Sequence, residues 1–120
     1  MEKVLITGGA GFIGYHLANL LLESNYNIDL LDNFSRGVND RQLVALSENE
    51  RINLINTDLL QSSAIDQCHK DYSHIYHLAA IIGVQRVLES PFVVLEKNFI
   101  LLQNALSIAR KQKKLQRFLV

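Results

Sequence analysis

A chain of 120 residues has room for one hydrophobic core, which excludes a two-domain organisation. Lys and Arg together number 12, as do Asp and Glu, so net charge gives no argument for nucleic acid or an anionic membrane surface as partner. The one cysteine, Cys68, excludes an internal disulfide and fits a reducing, cytoplasmic setting; the apolar runs read as too short for a membrane span, and the N-terminus reads as a strand, not a signal peptide.

Short apolar runs alternate with longer amphipathic stretches, the mark of repeated βα units around a buried parallel sheet. The first run, Lys3 to Thr7, is predicted as a strand. It leads directly into Thr7-Gly8-Gly9-Ala10-Gly11-Phe12-Ile13-Gly14, and a helix is predicted from Phe12 to Ser24. So tight a turn needs backbone angles that a Cβ disfavours, and a pyrophosphate must reach main-chain N–H groups at the helix N-terminus. A second strand, Asn27 to Leu31, is followed by Asp32, at the separation expected of an acid that accepts hydrogen bonds from ribose hydroxyls. Asp32 would repel a 2′-phosphate, which favours NAD over NADP as the cofactor. Arg36 and Arg41 are cations able to pair with such a phosphate, so NADP is demoted and not excluded.

Gly37-Val38-Asn39-Asp40 reads as a loop. Beyond it, helices are predicted over Arg41 to Ser47, Ser62 to Asp71 and Pro91 to Lys113, and strands over Arg51 to Asn56, Ser73 to Leu78 and Arg117 to Val120. Ser90-Pro91 marks the start of the longest helix, a cap residue followed by proline at the first helical position. Right-handed crossovers then give the strand order 3-2-1-4-5, an α/β fold with a Rossmann-type doubly wound parallel sheet occupying residues 1–120. His77, inside the fourth strand, reads as a buried, hydrogen-bonded histidine; His74 falls on the opposite face, so no metal site is proposed. Cys68 completes no nucleophile constellation and reads as a bystander thiol.

The T-G-G-x-G-x-x-G form of the glycine turn resembles the short-chain dehydrogenase/reductase superfamily, in particular its extended branch of NAD-dependent epimerases and dehydratases. The resemblance covers essentially the whole chain and the cofactor half of a family enzyme. It implies that Gly8, Gly11, Phe12, Ile13 and Gly14 meet the cofactor, and that Asp32-Asn33-Phe34-Ser35-Arg36-Gly37, close to the family's D-N-x-S-x-G, surrounds the adenosine ribose. Asp58-Leu59 matches an acidic-aliphatic pair on the adenine edge, although an acid there reads equally well as a cap for the next helix. Leu78-Ala79-Ala80 after His77 is similar to the family's H-x-A signature, whose small residues let the cofactor lie against the backbone. Ile81 to Val87 matches the stretch lining the nicotinamide and sugar end; Ile82 falls where some epimerases carry a lysine, and Arg86 is the nearest cation for a diphosphate. Asn98 matches the asparagine of N-V-x-G-T, while that motif's glycine and threonine are Leu101 and Leu102 here, which puts close helix packing around Leu101 in question.

In the family, a serine or threonine at the end of the fifth strand and a later Tyr-x-x-x-Lys pair move the proton as hydride passes. Val120 lies in the predicted fifth strand, and none of Tyr15, Tyr26, Tyr72 and Tyr76 has lysine four residues on, so no catalytic residue is assigned and no turnover is expected of these residues alone. Two readings result. One is the NAD-binding N-terminal portion, ending within the sheet, of a nucleotide-sugar epimerase, dehydratase or decarboxylase. The other is a non-catalytic, stand-alone dinucleotide-binding module or remnant. The apolar edge Phe118-Leu119-Val120 favours the first, because natural edge strands are usually blunted by charge or proline. A homodimer through the helix containing Asn98 is a further expectation, with plain core packing as the alternative.

Overall fold

Side-chain alternation on the central strands divides the core. A computed structural model describes residues 1–34, 41–81 and 88–120. In it, Val4 and Ile6 of β1 (Lys3–Thr7) and Ile28 and Leu30 of β2 (Asn27–Asp32) pack with Ala18, Leu21 and Leu22 of α1 (Phe12–Glu23) and Leu46 of α2 (Arg41–Ser47). On the other face, Leu5, Leu31, Ile55 of β3 (Ile52–Asn56) and Ile75 of β4 (Tyr72–His77) pack with Ala64 of α3 (Ser63–Asp66) and with Leu101 and Ile108 of α4 (Pro91–Arg110). Helices on both faces bury Val4, Leu5, Ile6 and Thr7 of β1 completely, as a central parallel strand requires. With β5 (Arg117–Leu119) the sheet is parallel throughout in the order β3-β2-β1-β4-β5, the order expected. Thr7 is in register with Leu31 on one side and His77 on the other, which levels the carboxyl ends of β1, β2 and β4 where the chain reverses its winding.

Helix α1 stops one residue short of the predicted Ser24, and α3 and α4 end several residues earlier than their patterns suggest, through contacts made by His69 and Tyr72. Asp29, 2% exposed in mid-strand, accepts hydrogen bonds from the Tyr72 hydroxyl at Oδ2 and from Asn53 Nδ2 at Oδ1, and its Oδ2 lies 2.7 Å from His69 Nδ1. The Tyr72 hydroxyl in turn accepts the His69 N–H at 3.1 Å. That capture, together with Gln67 N–H closing back onto Ala64, ends α3 at Asp66 where the sequence suggested Asp71. Similarly, Gln112 gives its Oε1 to the Tyr72 N–H and its Nε2 to the His69 carbonyl, so α4 stops at Arg110 and not at Lys113. Burial and the neighbouring Asp29 hold the Tyr72 phenol far above its ordinary pKa, so it stays a donor.

Helix α4 also corrects the reading of apolar length. Over its 20 residues it is long and apolar enough, by length and composition, to cross a membrane. Here it is a layer of the sheet domain, with Leu101, Ala105 and Ile108 buried beneath it. Ser90 and Pro91 sit at the expected start, although the Ser90 side chain makes no capping hydrogen bond.

Candidate functional site

The glycine turn is pulled tight by main-chain bonds: Gly8 N–H to the Leu31 carbonyl at 2.8 Å and Gly11 N–H to the Gly8 carbonyl at 3.2 Å. Gly8 has φ +72°, and a Cβ on it would lie 2.8 Å from the Ala79 nitrogen. A Cβ on Gly9 would strike Leu30, and one on Gly14 would strike the Gly8 carbonyl and Gly9 Cα, each at 2.8 Å. The protein's own packing therefore accounts for three of the glycines. Gly11 differs: its φ of −74° suits any residue, and among the described residues a Cβ there would meet nothing nearer than the Gly8 carbonyl at 3.4 Å. No contact among them requires Gly11 to be bare.

Past Gly11, helix α1 has no side-chain cap and no acid in its first turn, and its ladder begins with Tyr15 N–H on the Gly11 carbonyl. The N–H groups of Phe12, Ile13 and Gly14 precede that first bond, so the positive end of the helix opens on the cleft. At the end of β2, Asp32 takes the Ala10 N–H on Oδ2 at 3.0 Å and the Phe34 N–H on Oδ1 at 2.9 Å. Phe34 is held at φ +58°, a conformation strained for a bulky side chain. One carboxyl group thus clamps the glycine turn and the β2 loop together and still has lone pairs for a ligand.

The opposite wall is tied to β1. Thr7 Oγ1 accepts the Ala79 N–H at 3.2 Å and lies 2.7 Å from His77 Nδ1. His77 is 7% exposed, with its ring alongside Phe118, whereas His74 packs near Tyr26 and Tyr76 on the other face. It is the buried, bonded histidine expected. Burial lowers its pKa, so the unfolded chain takes up the proton more readily than the folded one. Stability should accordingly be full above the unfolded value, about 6.5, and drain away as pH falls from there toward the lower folded value. Unfolding midpoints measured between about pH 7 and pH 5 should show this loss, and His77→Gln should flatten it; an identical slope in the variant would assign the loss elsewhere.

These walls enclose a cleft of about 630 Å³, a size suited to a small-molecule site. It gathers Gly8, Gly11, Phe12, Ile13, Gly14, Asp32, Asn33, Phe34, Asp58, Leu59, Leu78, Ala79 and Ala80, all anticipated from sequence. Ser35, Arg36, Gly37 and Ile82 lie outside the described residues. Asp58 serves its own turn, accepting the Leu60 N–H on Oδ1 at 2.9 Å, and also lines the cleft. Asn98 does not line it: its Oδ1 takes the Ile81 N–H at 2.7 Å and its Nδ2 donates to the Ile81 carbonyl at 3.1 Å, a two-point grip on the β4 loop. Leu101, where the motif has glycine, is 6% exposed and fills the cleft floor. Ile81, at the head of the stretch expected to line the cleft, does line it; sequence reading did not single out Thr7 or Thr57, whose only signal was their place at strand ends. Cys68 Sγ points at the Ala64 carbonyl, and burial pushes its thiol up to about 12, which makes it a poor nucleophile.

Sheet order, bare glycine turn and acid-closed β2 define a Rossmann-type dinucleotide-binding domain with its cleft at the topological switch point. The sequence pattern of the NAD dependent epimerase/dehydratase family matches residues 4–120, and the chain belongs to that family. It is similar to the UDP-N-acetyl-alpha-D-glucosaminuronate decarboxylase of Bacillus cytotoxicus, 35% identical over 113 residues that cover 94% of this chain and 34% of that protein. Among solved structures it is similar to a UDP-glucuronic acid 4-epimerase mutant from Bacillus cereus, in complex with UDP-4-deoxy-4-fluoro-glucuronic acid and NAD, with a TM-score of 0.82 and 32% identity over 97% of this chain and 38% of that one. A Thermus thermophilus UDP-glucose 4-epimerase in complex with NAD gives a TM-score of 0.74 and 29% identity over 91% of this chain and 34% of that one. The chain thus spans about a third of the length of the Bacillus cytotoxicus relative.

Proposed function

We propose that residues 1–120 form the NAD-binding domain of an enzyme that epimerises, dehydrates or decarboxylates a nucleotide sugar. The carrying observation is Gly11, a glycine that no contact among the described residues requires, placed where a helix presents free N–H groups. In this reading Gly11, Phe12 and Ile13 receive the pyrophosphate, Asp32 accepts from the adenosine ribose hydroxyls, and Asp58 and Leu59 meet the adenine. Ala79 and Ala80, with their small side chains, leave room for the cofactor along the β4 wall. The nicotinamide, when bound, supplies a hydride acceptor for the sugar. None of the chain's four tyrosines lines the described cleft, so these residues bind and orient, and proton transfer is assigned to none of them. Calorimetric titration tests the reading: NAD should bind at least about tenfold more tightly than NADP, the effect of one well-made or lost polar contact. No heat with millimolar NAD, against a folded chain by circular dichroism, would end it.

The reading includes a second copy as partner. Phe92, Leu95 and Phe99, exposed by 84%, 68% and 60%, recur at helical spacing along one side of α4. Burying that stripe between two copies gives the homodimer expected from sequence. Sedimentation should show a dimer that Phe99→Asp converts to monomer; a monomeric parent at high concentration would remove the interface.

A further inference from the structure

We propose that Asn104 is the positioning residue of the adenine end of the cleft, an inference that rests on the NAD-binding reading above. Its Nδ2 donates to the Leu59 carbonyl at 2.6 Å, across 45 residues of sequence. A carbonyl only accepts, so the amide orientation is settled by chemistry. The turn it grips has local bonds of its own: Leu60 N–H to Asp58 Oδ1 at 2.9 Å and Gln61 N–H to the Asp58 carbonyl at 3.0 Å. Those bonds give the turn its shape and say nothing about where it sits. Thr57 N–H on the Asp32 carbonyl at 3.1 Å ties its start to β2, and its placement over α4 comes from the Leu59 side chain, buried at 3% exposure, and from Asn104. With Asp58 Oδ1 committed to Leu60, Oδ2 is the oxygen left for an exocyclic amino group, and a small displacement of the turn would carry it out of hydrogen-bond range.

Asn98 does the corresponding work on the other wall, where it grips Ile81. One helix therefore sets both walls, Asn104 the adenine side and Asn98 the β4 side. Substitutions at the two positions should accordingly damage different parts of the ligand.

The test uses 5′-AMP, NAD and nicotinamide hypoxanthine dinucleotide, which lacks the exocyclic amino group, titrated into the parent chain and into Asn104→Asp, Asn104→Ala and Asn98→Asp. Asparagine to aspartate conserves shape while setting an oxygen against the Leu59 carbonyl; alanine removes the donor without added charge and suits a helix interior. Both Asn104 variants should lose about tenfold in affinity for AMP and NAD, and the parent's preference for adenine over hypoxanthine should shrink toward unity. Asn98→Asp should weaken NAD while keeping AMP affinity and the adenine preference. A general loss of packing would lower every affinity together and leave the adenine-to-hypoxanthine ratio alone, so an unchanged ratio in Asn104→Ala, folded by circular dichroism, overturns the proposal. Failure of the parent to bind NAD would overturn the NAD-binding reading instead, which keeps the two failures distinct.

Discussion

Gly11→Ala is expected to lower NAD affinity by about a hundredfold or more and to leave the unfolding midpoint at or slightly above that of the parent. The backbone at Gly11 is extended, at φ −74° and ψ 172°, which alanine adopts without strain. Substituting glycine at such a site tends to add about 0.4–1 kcal/mol of stability, because the unfolded chain has less freedom to lose. Among the described residues the new methyl would touch the Gly8 carbonyl alone, at an ordinary 3.4 Å. It would project where a pyrophosphate must approach the first-turn N–H groups, so the cost falls on binding alone. The neighbouring glycines should behave in the opposite way. Gly8→Ala meets Ala79 main chain at 2.8 Å with φ at +72°, and Gly14→Ala meets main-chain atoms of Gly8 and Gly9 at 2.8 Å. Each should destabilise the fold by about 1–3 kcal/mol. Urea unfolding and NAD titration on the three variants separate the two kinds of loss, and parental NAD affinity in Gly11→Ala would remove the glycine turn from the phosphate site.

Asp32→Asn should lose most of the preference for NAD over NADP and some stability with it. Both oxygens of Asp32 accept main-chain N–H groups, from Ala10 and Phe34. An asparagine has one acceptor oxygen, so in either orientation its amino group faces a backbone donor. Leaving that donor unpaired costs about 1–3 kcal/mol, and the strained Phe34 conformation at φ +58° loses part of what holds it. At the ligand, the variant removes a charge that favours ribose hydroxyls and opposes a 2′-phosphate. NAD affinity should therefore fall by about tenfold or more, NADP should change far less, and the denaturation midpoint should drop. Equal losses for both dinucleotides would take Asp32 away from the ribose and leave it a purely structural clamp.

Asp32 shows how far a sequence pattern reaches. Its place after an apolar run and behind a glycine turn marked it as a ribose acid, yet nothing local disclosed that it also clamps Ala10 to Phe34. Asp58 was open between capping and ligand recognition, and the folded chain places it in its own turn and in the cleft lining at once. Asn98 was legible as a site residue through its motif, but its role as a grip on Ile81 depends on a contact 17 residues away. Asn104 carried no signal, since an asparagine in mid-helix is ordinary until its partner across 45 residues is known.

Strand order, the glycine turn, the closing acid of β2 and the positions of most elements were readable because apolar periodicity and turn chemistry act over a few residues at a time. The early ends of α3 and α4, the pairing of Asp29 with Tyr72 and His69, and the attachment of both cleft walls to one helix were decided only by the tertiary structure. Each depends on which buried donors and acceptors meet once the sheet is assembled. Those meetings follow from strand register and helix placement, and a buried polar atom must take whatever partner they bring within reach.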